Sequence, residues 1–125
     1  MSLDPGTAGE VKFPLAPGAR ALAQARRFLG LYAQQSGVPG EHAEDVVQAA
    51  AELMAVGGRA RQVLTLAVHE HPDQLSVLVD LAGSADVEVS DEGALLLNGL
   101  SSQWGWRQLP GYTQVWCDVP KQPDL

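Results

Sequence analysis

Few residues in this sequence have the type and setting for chemistry, and Glu52 is the foremost. It lies in the run AEDVVQAAAELMAVGGR, residues 43–59, which reads as one amphipathic helix. At about 100° per residue, Val46, Ala49, Ala50, Leu53 and Gly57 share an apolar face, while Asp45, Gln48, Glu52 and Val56 fall along the stripe beside it. A helical carboxylate in that position ordinarily faces water. Val56 fits poorly, because a branched hydrocarbon continues a polar row, so a pocket edge beside Glu52 is the alternative.

The other reactive side chains have ordinary explanations. His69 and His71 alternate along an apparent strand end, the spacing of two ligands on one face. A zinc site needs three or four protein ligands, and no cysteine or further histidine has matching spacing. No metal site is expected, and these histidines read as hairpin caps. Cys117 is the single cysteine; no intrachain disulfide can form, and its expected role is a small buried hydrophobe. Trp104, Trp106 and Trp116 read as core or edge aromatics rather than as a ligand cage.

The elements that must position these residues follow from periodicity. Residues 1–10 form an expected tail, and residues 11–15 a short edge strand stopped by Pro14 and Pro17. Ala19, Leu22, Ala25, Phe28, Leu29 and Tyr32 predict a first helix ending at Gly37, and Pro39 opens a second, closed by Gly57 and Gly58. Carboxylates at Glu41, Glu44 and Asp45 favour its start. Residues 61–70 alternate as a strand, with Leu64, Leu66 and Val68 on one face; a turn at residues 71–74 leads into a second strand, residues 75–81. An acidic connection carrying Asp86, Glu88 and Asp91 precedes a short helix over residues 94–103. Strands at residues 104–109 and 112–119 flank the Pro110-Gly111 turn, and residues 121–125 are a tail.

This order predicts an α+β two-layer sandwich, a mostly antiparallel mixed sheet covered on one face by about three helices. At 125 residues and 46% hydrophobic, the chain fits one domain, residues 11–120. A formal charge of −7 argues against nucleic acid and anionic membranes and suits a basic patch on a protein partner. No signal-like start or spanning apolar run is evident, so the expected address is the cytoplasm.

Several short motifs in this order resemble the histidine-kinase-type ATPase (GHKL, Bergerat-fold) family, specifically the small RsbW-like anti-sigma-factor serine kinases. The resemblance covers residues 13–119 and rests on Phe13 with Pro17 and Ala19, Ala25-Arg26-Arg27-Phe28, Asp45-Val46-Val47, Glu52-Leu53, Asp80, Gly93 with Leu95-Leu96-Leu97, and Trp104-Gly105. It implies that Glu52 stands where the general base stands, Asp80 where the adenine-reading aspartate stands, and Gly93 at the phosphate-binding glycine box. Val56 occupies the place of the magnesium-holding asparagine and has no oxygen to offer. Ala82 replaces the glycine of the Asp-x-Gly box, and Asp91 replaces the first glycine of the glycine box, with Glu92 beside it.

The resemblance therefore implies a degenerate member: a non-catalytic regulatory module, a pseudo-kinase that binds a sigma factor or a STAS-type anti-sigma-factor antagonist. No cofactor is expected. Two alternatives stand beside it. One is a residually active serine/threonine protein kinase using ATP and magnesium, with Glu52 as base, Asp80 on adenine and Gly93 amides on phosphate. The other is a cleft that Val56 and Ala82 adapt to a ligand without phosphates. A homodimer through the first strand and helix is implied by resemblance alone.

Overall fold

The computed structural model of the chain describes residues 10–16, 20–56, 62–83 and 87–122. Its elements are β1 (Glu10–Pro14), α1 (Arg20–Gln35), α2 (Gly40–Ala55), β2 (Val63–Glu70), β3 (Gln74–Ala82), α3 (Asp91–Leu100), β4 (Gln103–Leu109) and β5 (Tyr112–Pro120). The strands form one open sheet in the order β1-β2-β3-β5-β4. Every neighbouring pair is antiparallel, so the expected mixed sheet is corrected to a purely antiparallel one.

Connectivity explains the correction. Two helices in succession, α1 and α2, separate β1 from β2, so the chain reverses three times and re-enters the sheet antiparallel. Only α3 separates β3 from β4, which runs such strands in the same direction. They are not neighbours, however, because β5 folds back from β4 and inserts between them. The Pro110-Gly111 turn permits this reversal, with Gly111 at φ 83, the left-handed value that the second central residue of a type II turn requires.

The helices begin and end on local chemistry. Gly37, at φ 81, closes α1 while the Val38 N–H donates to the Ala33 carbonyl at 3.0 Å, the bonding of a Schellman cap. The Pro39 carbonyl then starts α2 by accepting from the N–H groups of His42 at 2.9 Å and Ala43 at 2.8 Å. Helix α2 ends at Ala55, short of the predicted limit. Val56, at φ −66 and ψ 134, is already extended, and Gly57 lies outside the described residues. Helix α3 starts three residues before its predicted first residue, because Ser90 caps it.

The main apolar core lies on one sheet face. Leu75, Val77, Val79 and Leu81 of β3 join Val115, Cys117 and Val119 of β5 in one buried cluster with Val46, Ala50 and Leu53 of α2 and Leu97 of α3. Alanines 21, 25 and 33 of α1 are buried, whereas Leu22 is 37% exposed; small side chains let α1 lie close to α2. Phe13 of β1 stacks on Phe28 of α1 with ring centroids 4.7 Å apart. At the far end, His42 Nε2 donates to the Pro120 carbonyl, and its Nδ1 lies 2.9 Å from Asp45 Oδ2, tying α2 to the end of β5. Burial, and then the neighbouring Asp118 carboxylate, push the Cys117 thiol from an ordinary 9.0 up to about 12. No helix among the described residues is long and apolar enough to cross a membrane.

The face of β2 differs from its expected alternation. Val63 pairs with Leu81 and Thr65 with Asp80, so one extra residue stands in β2. This bulge sets Leu64 out of the series. Val63, not Leu64, therefore joins Leu66 and Val68 against the core.

Candidate functional site

Helix α2 delivers Glu52 to its last turn, and Ser90 delivers α3 to the same corner. Ser90 Oγ accepts from the Gly93 N–H at 2.9 Å, and its carbonyl accepts from the Ala94 N–H at 2.9 Å. A side chain at Gly93 would meet Ser90 Oγ at 3.1 Å and Glu52 Oε2 at 3.3 Å. The absent Cβ is thus what lets the first turn of α3 lie against the Glu52 carboxylate. The positive end of the α3 dipole favours that charge. Among the described residues, the other oxygen, Oε1, receives only a long contact from Gln48 Nε2, at 3.4 Å, so it keeps acceptor capacity toward them.

A cleft of about 740 Å³ opens beside this corner. Glu52, Ala55 and Val56 line it from α2 and its cap, residues 87–90 and Gly93 from the start of α3, and Trp106 from β4. Val56 is 5% exposed and Trp106 is 46% exposed. The described lining residues carry two carboxylates, Glu52 and Glu88, and no cation. Helix starts attract anions, but here the chain's own Ser90 hydroxyl and Glu52 carboxylate already occupy that position.

Of the residues singled out by sequence, the structure brings Glu52, Val56 and Gly93 together around one cleft. Val56 does so from beyond the helix end, not from the stripe assigned to it. Asp91 and Glu92 are exposed in the first turn of α3, and neither is among the lining residues.

Asp80 lies elsewhere. Strand alternation buries Val79 and Leu81 against the helices and turns Asp80 to the opposite face. There Asp80 Oδ2 accepts from Thr65 Oγ1 at 2.9 Å and Oδ1 from Gln114 Nε2 at 3.0 Å. The implied adenine contact therefore does not share the cleft of Glu52 and Gly93. Ala82 is on the same side as Asp80 by alternation, at the end of β3, and its N–H donates to the Gln62 carbonyl at 2.8 Å.

That open face carries its own polar network. Asp118 is buried and accepts from Ser76 Oγ at 2.6 Å and Gln103 Nε2 at 2.7 Å, while His71 Nε2 lies 3.0 Å from Ser76 Oγ. The serine proton is directed at a carboxylate that already has a second donor, and the shallow cleft of about 270 Å³ beside it is also lined by Leu78, Arg107 and Trp116. His69 instead pairs with Glu10, so the two histidines go to different partners. No group of three or more potential metal ligands occurs among the described residues.

Sequence reasoning passed over Trp106 as a cleft residue, and with it Val87, Glu88, Val89 and Ser90. The Ser90-Asp91-Glu92 run is a helix-start signal that would have moved α3 to its true beginning. Trp106 shares the alternation of Trp104, whose indole Nε1 donates to Asn98 Oδ1 at 2.7 Å and whose ring centroid lies 6.1 Å from that of Trp106; nothing in their spacing separates the half-buried ring from the exposed one. The sequence matches no protein-family model and no curated protein.

Proposed function

We propose that the chain is a non-catalytic regulatory module that acts by protein contact, an anti-sigma-factor-kinase-like scaffold whose nucleotide site is degenerate. Its partner on this reading is a sigma factor or a STAS-type antagonist. The observation that carries it is the separation of Asp80 from the Glu52–Gly93 corner by the thickness of the sheet. Phosphoryl transfer needs a base, a metal and positioned phosphates at one place. Here Val56, which lines the cleft together with Glu52, cannot ligate magnesium. A triphosphate in the cleft would also meet Glu52 and Glu88, each like-charge contact at ~4 Å opposing it by about 1 to 4 kcal/mol, depending on the medium.

Two measurements on the whole chain test this. Calorimetry against the sigma factors and antagonists of the same host is expected to find a complex that forms without nucleotide and is unchanged by Mg-ATP. Micromolar Mg-ATP binding that Asp80→Asn abolishes would replace this reading with the kinase. Failure to bind any of those proteins would remove the proposed partners.

A further inference from the structure

The cleft has a chemistry of its own that a degenerate nucleotide site does not require. Trp106 presents an indole 46% exposed on β4, the outermost strand of the sheet. Glu52 and Glu88 line the same cleft, and Val56, Val87 and Val89 add hydrocarbon. An aromatic face attracts cations, carboxylates pair with them, and an apolar wall accommodates an aliphatic stem that ends in charge. The chain as a whole carries −7, so its field also favours a cationic partner.

We propose that this cleft seats an arginine side chain of a basic partner polypeptide, its guanidinium against Trp106 and paired with Glu52 and Glu88. Arginine fits better than lysine because a planar fork both stacks on indole and bonds carboxylates with several donors. The α3 start does not compete, since Ser90 caps Gly93 and Glu52 faces the helix end. Among the described residues, Glu52 Oε1 has only the long Gln48 contact, which leaves it acceptor capacity for a guanidinium. This inference rests on the protein-contact reading and names the chemistry that the partner must offer.

The test is a titration of the isotope-labelled chain with a capped glycine-arginine-glycine tripeptide, followed at the Trp106 indole N–H by nuclear magnetic resonance. Saturable binding on the order of millimolar is expected, as befits one exposed pairing with a cation–aromatic contact. Replacing arginine by citrulline, its uncharged isostere, abolishes it. Glu52→Gln and Glu88→Gln each weaken it about three- to fivefold, with unperturbed spectra elsewhere as the folding control. Equal binding of the citrulline peptide, no binding of the arginine peptide, or an unchanged affinity when Glu52→Gln and Glu88→Gln are combined overturns the proposal. A sigma-factor or antagonist complex that is indifferent to Glu88→Gln and Trp106→Leu overturns it too, while leaving the protein-contact reading intact. Micromolar Mg-ATP binding that displaces the tripeptide removes that reading instead.

Discussion

The two faces of the sheet hold their strands together by different physics. On the helix-covered face, Leu75, Val77, Val79 and Leu81 lie fully buried against Val115, Cys117 and Val119, and exclusion of water does the work. On the open face, the same strands are laced by side-chain hydrogen bonds, Thr65 and Gln114 to Asp80, Ser76 and Gln103 to Asp118. Arg107 continues the lacing by donating from Nε and an Nη to Gln114 Oε1 at 3.0 and 2.8 Å. The carboxylates of that face are committed to neighbouring strands. Glu52, at the edge of the covered side, has no comparable bond among the described residues, and a cleft opens beside it. A carboxylate tied on two sides stabilises the sheet, whereas one held against space is available to a ligand.

Substitutions can break or sharpen this contrast. The largest effect belongs to the covered face: Leu75→Ala should lower unfolding free energy by about 2–5 kcal/mol, read from denaturant titrations by circular dichroism. On the open face, Asp118→Ala leaves Ser76 and Gln103 without their acceptor and should cost about 1–3 kcal/mol; a neutral result would mean that water replaces the network freely. Asp80→Asn keeps one acceptor oxygen and should cost about 1 kcal/mol or less, with arginine-tripeptide affinity unchanged. Any loss of cleft affinity in that variant would show that the two sites communicate. The smallest stability effect is expected for Glu52→Gln, within about 0.5 kcal/mol, although it weakens the cleft ligand. Thermal unfolding that drops by several degrees would instead make Glu52 a structural residue.

Much of the fold was legible because hydrophobic period survives in the second helix and in the central strands β3 and β5. The second helix shows its buried stripe at Val46, Ala49, Ala50 and Leu53, and the β2–β3 and β4–β5 hairpins are marked by turn residues. What alternation hides is a bulge: one extra residue in β2 displaced Leu64 and set the register against β3. The end of α2 was hidden by Val56, which continues a helical pattern in composition but not in backbone. The candidate site was half legible. Glu52 and Gly93 meet across two helices, but the side to which a strand turns Asp80 is fixed by tertiary packing of its neighbours, and Trp106 becomes a cleft residue on the outermost strand, β4.

The thiol of Cys117 makes the covered face observable in time. With its pKa raised to about 12 by burial and by Asp118, it holds almost no thiolate at neutral pH, and alkylating reagents attack thiolate alone. Labelling must then wait for β5 to come away from the core, so its rate counts openings of the sheet. The same shift sets the alkaline limit. Below pH 9 the buried protonated thiol contributes in full. Between the ordinary 9.0 and about 12, the unfolded chain gives up the proton that the folded chain keeps, and stability falls by up to about 1.4 kcal/mol per pH unit. Cys117→Ala should flatten that fall, and a clock built on one sulfur would report how often this molecule breathes.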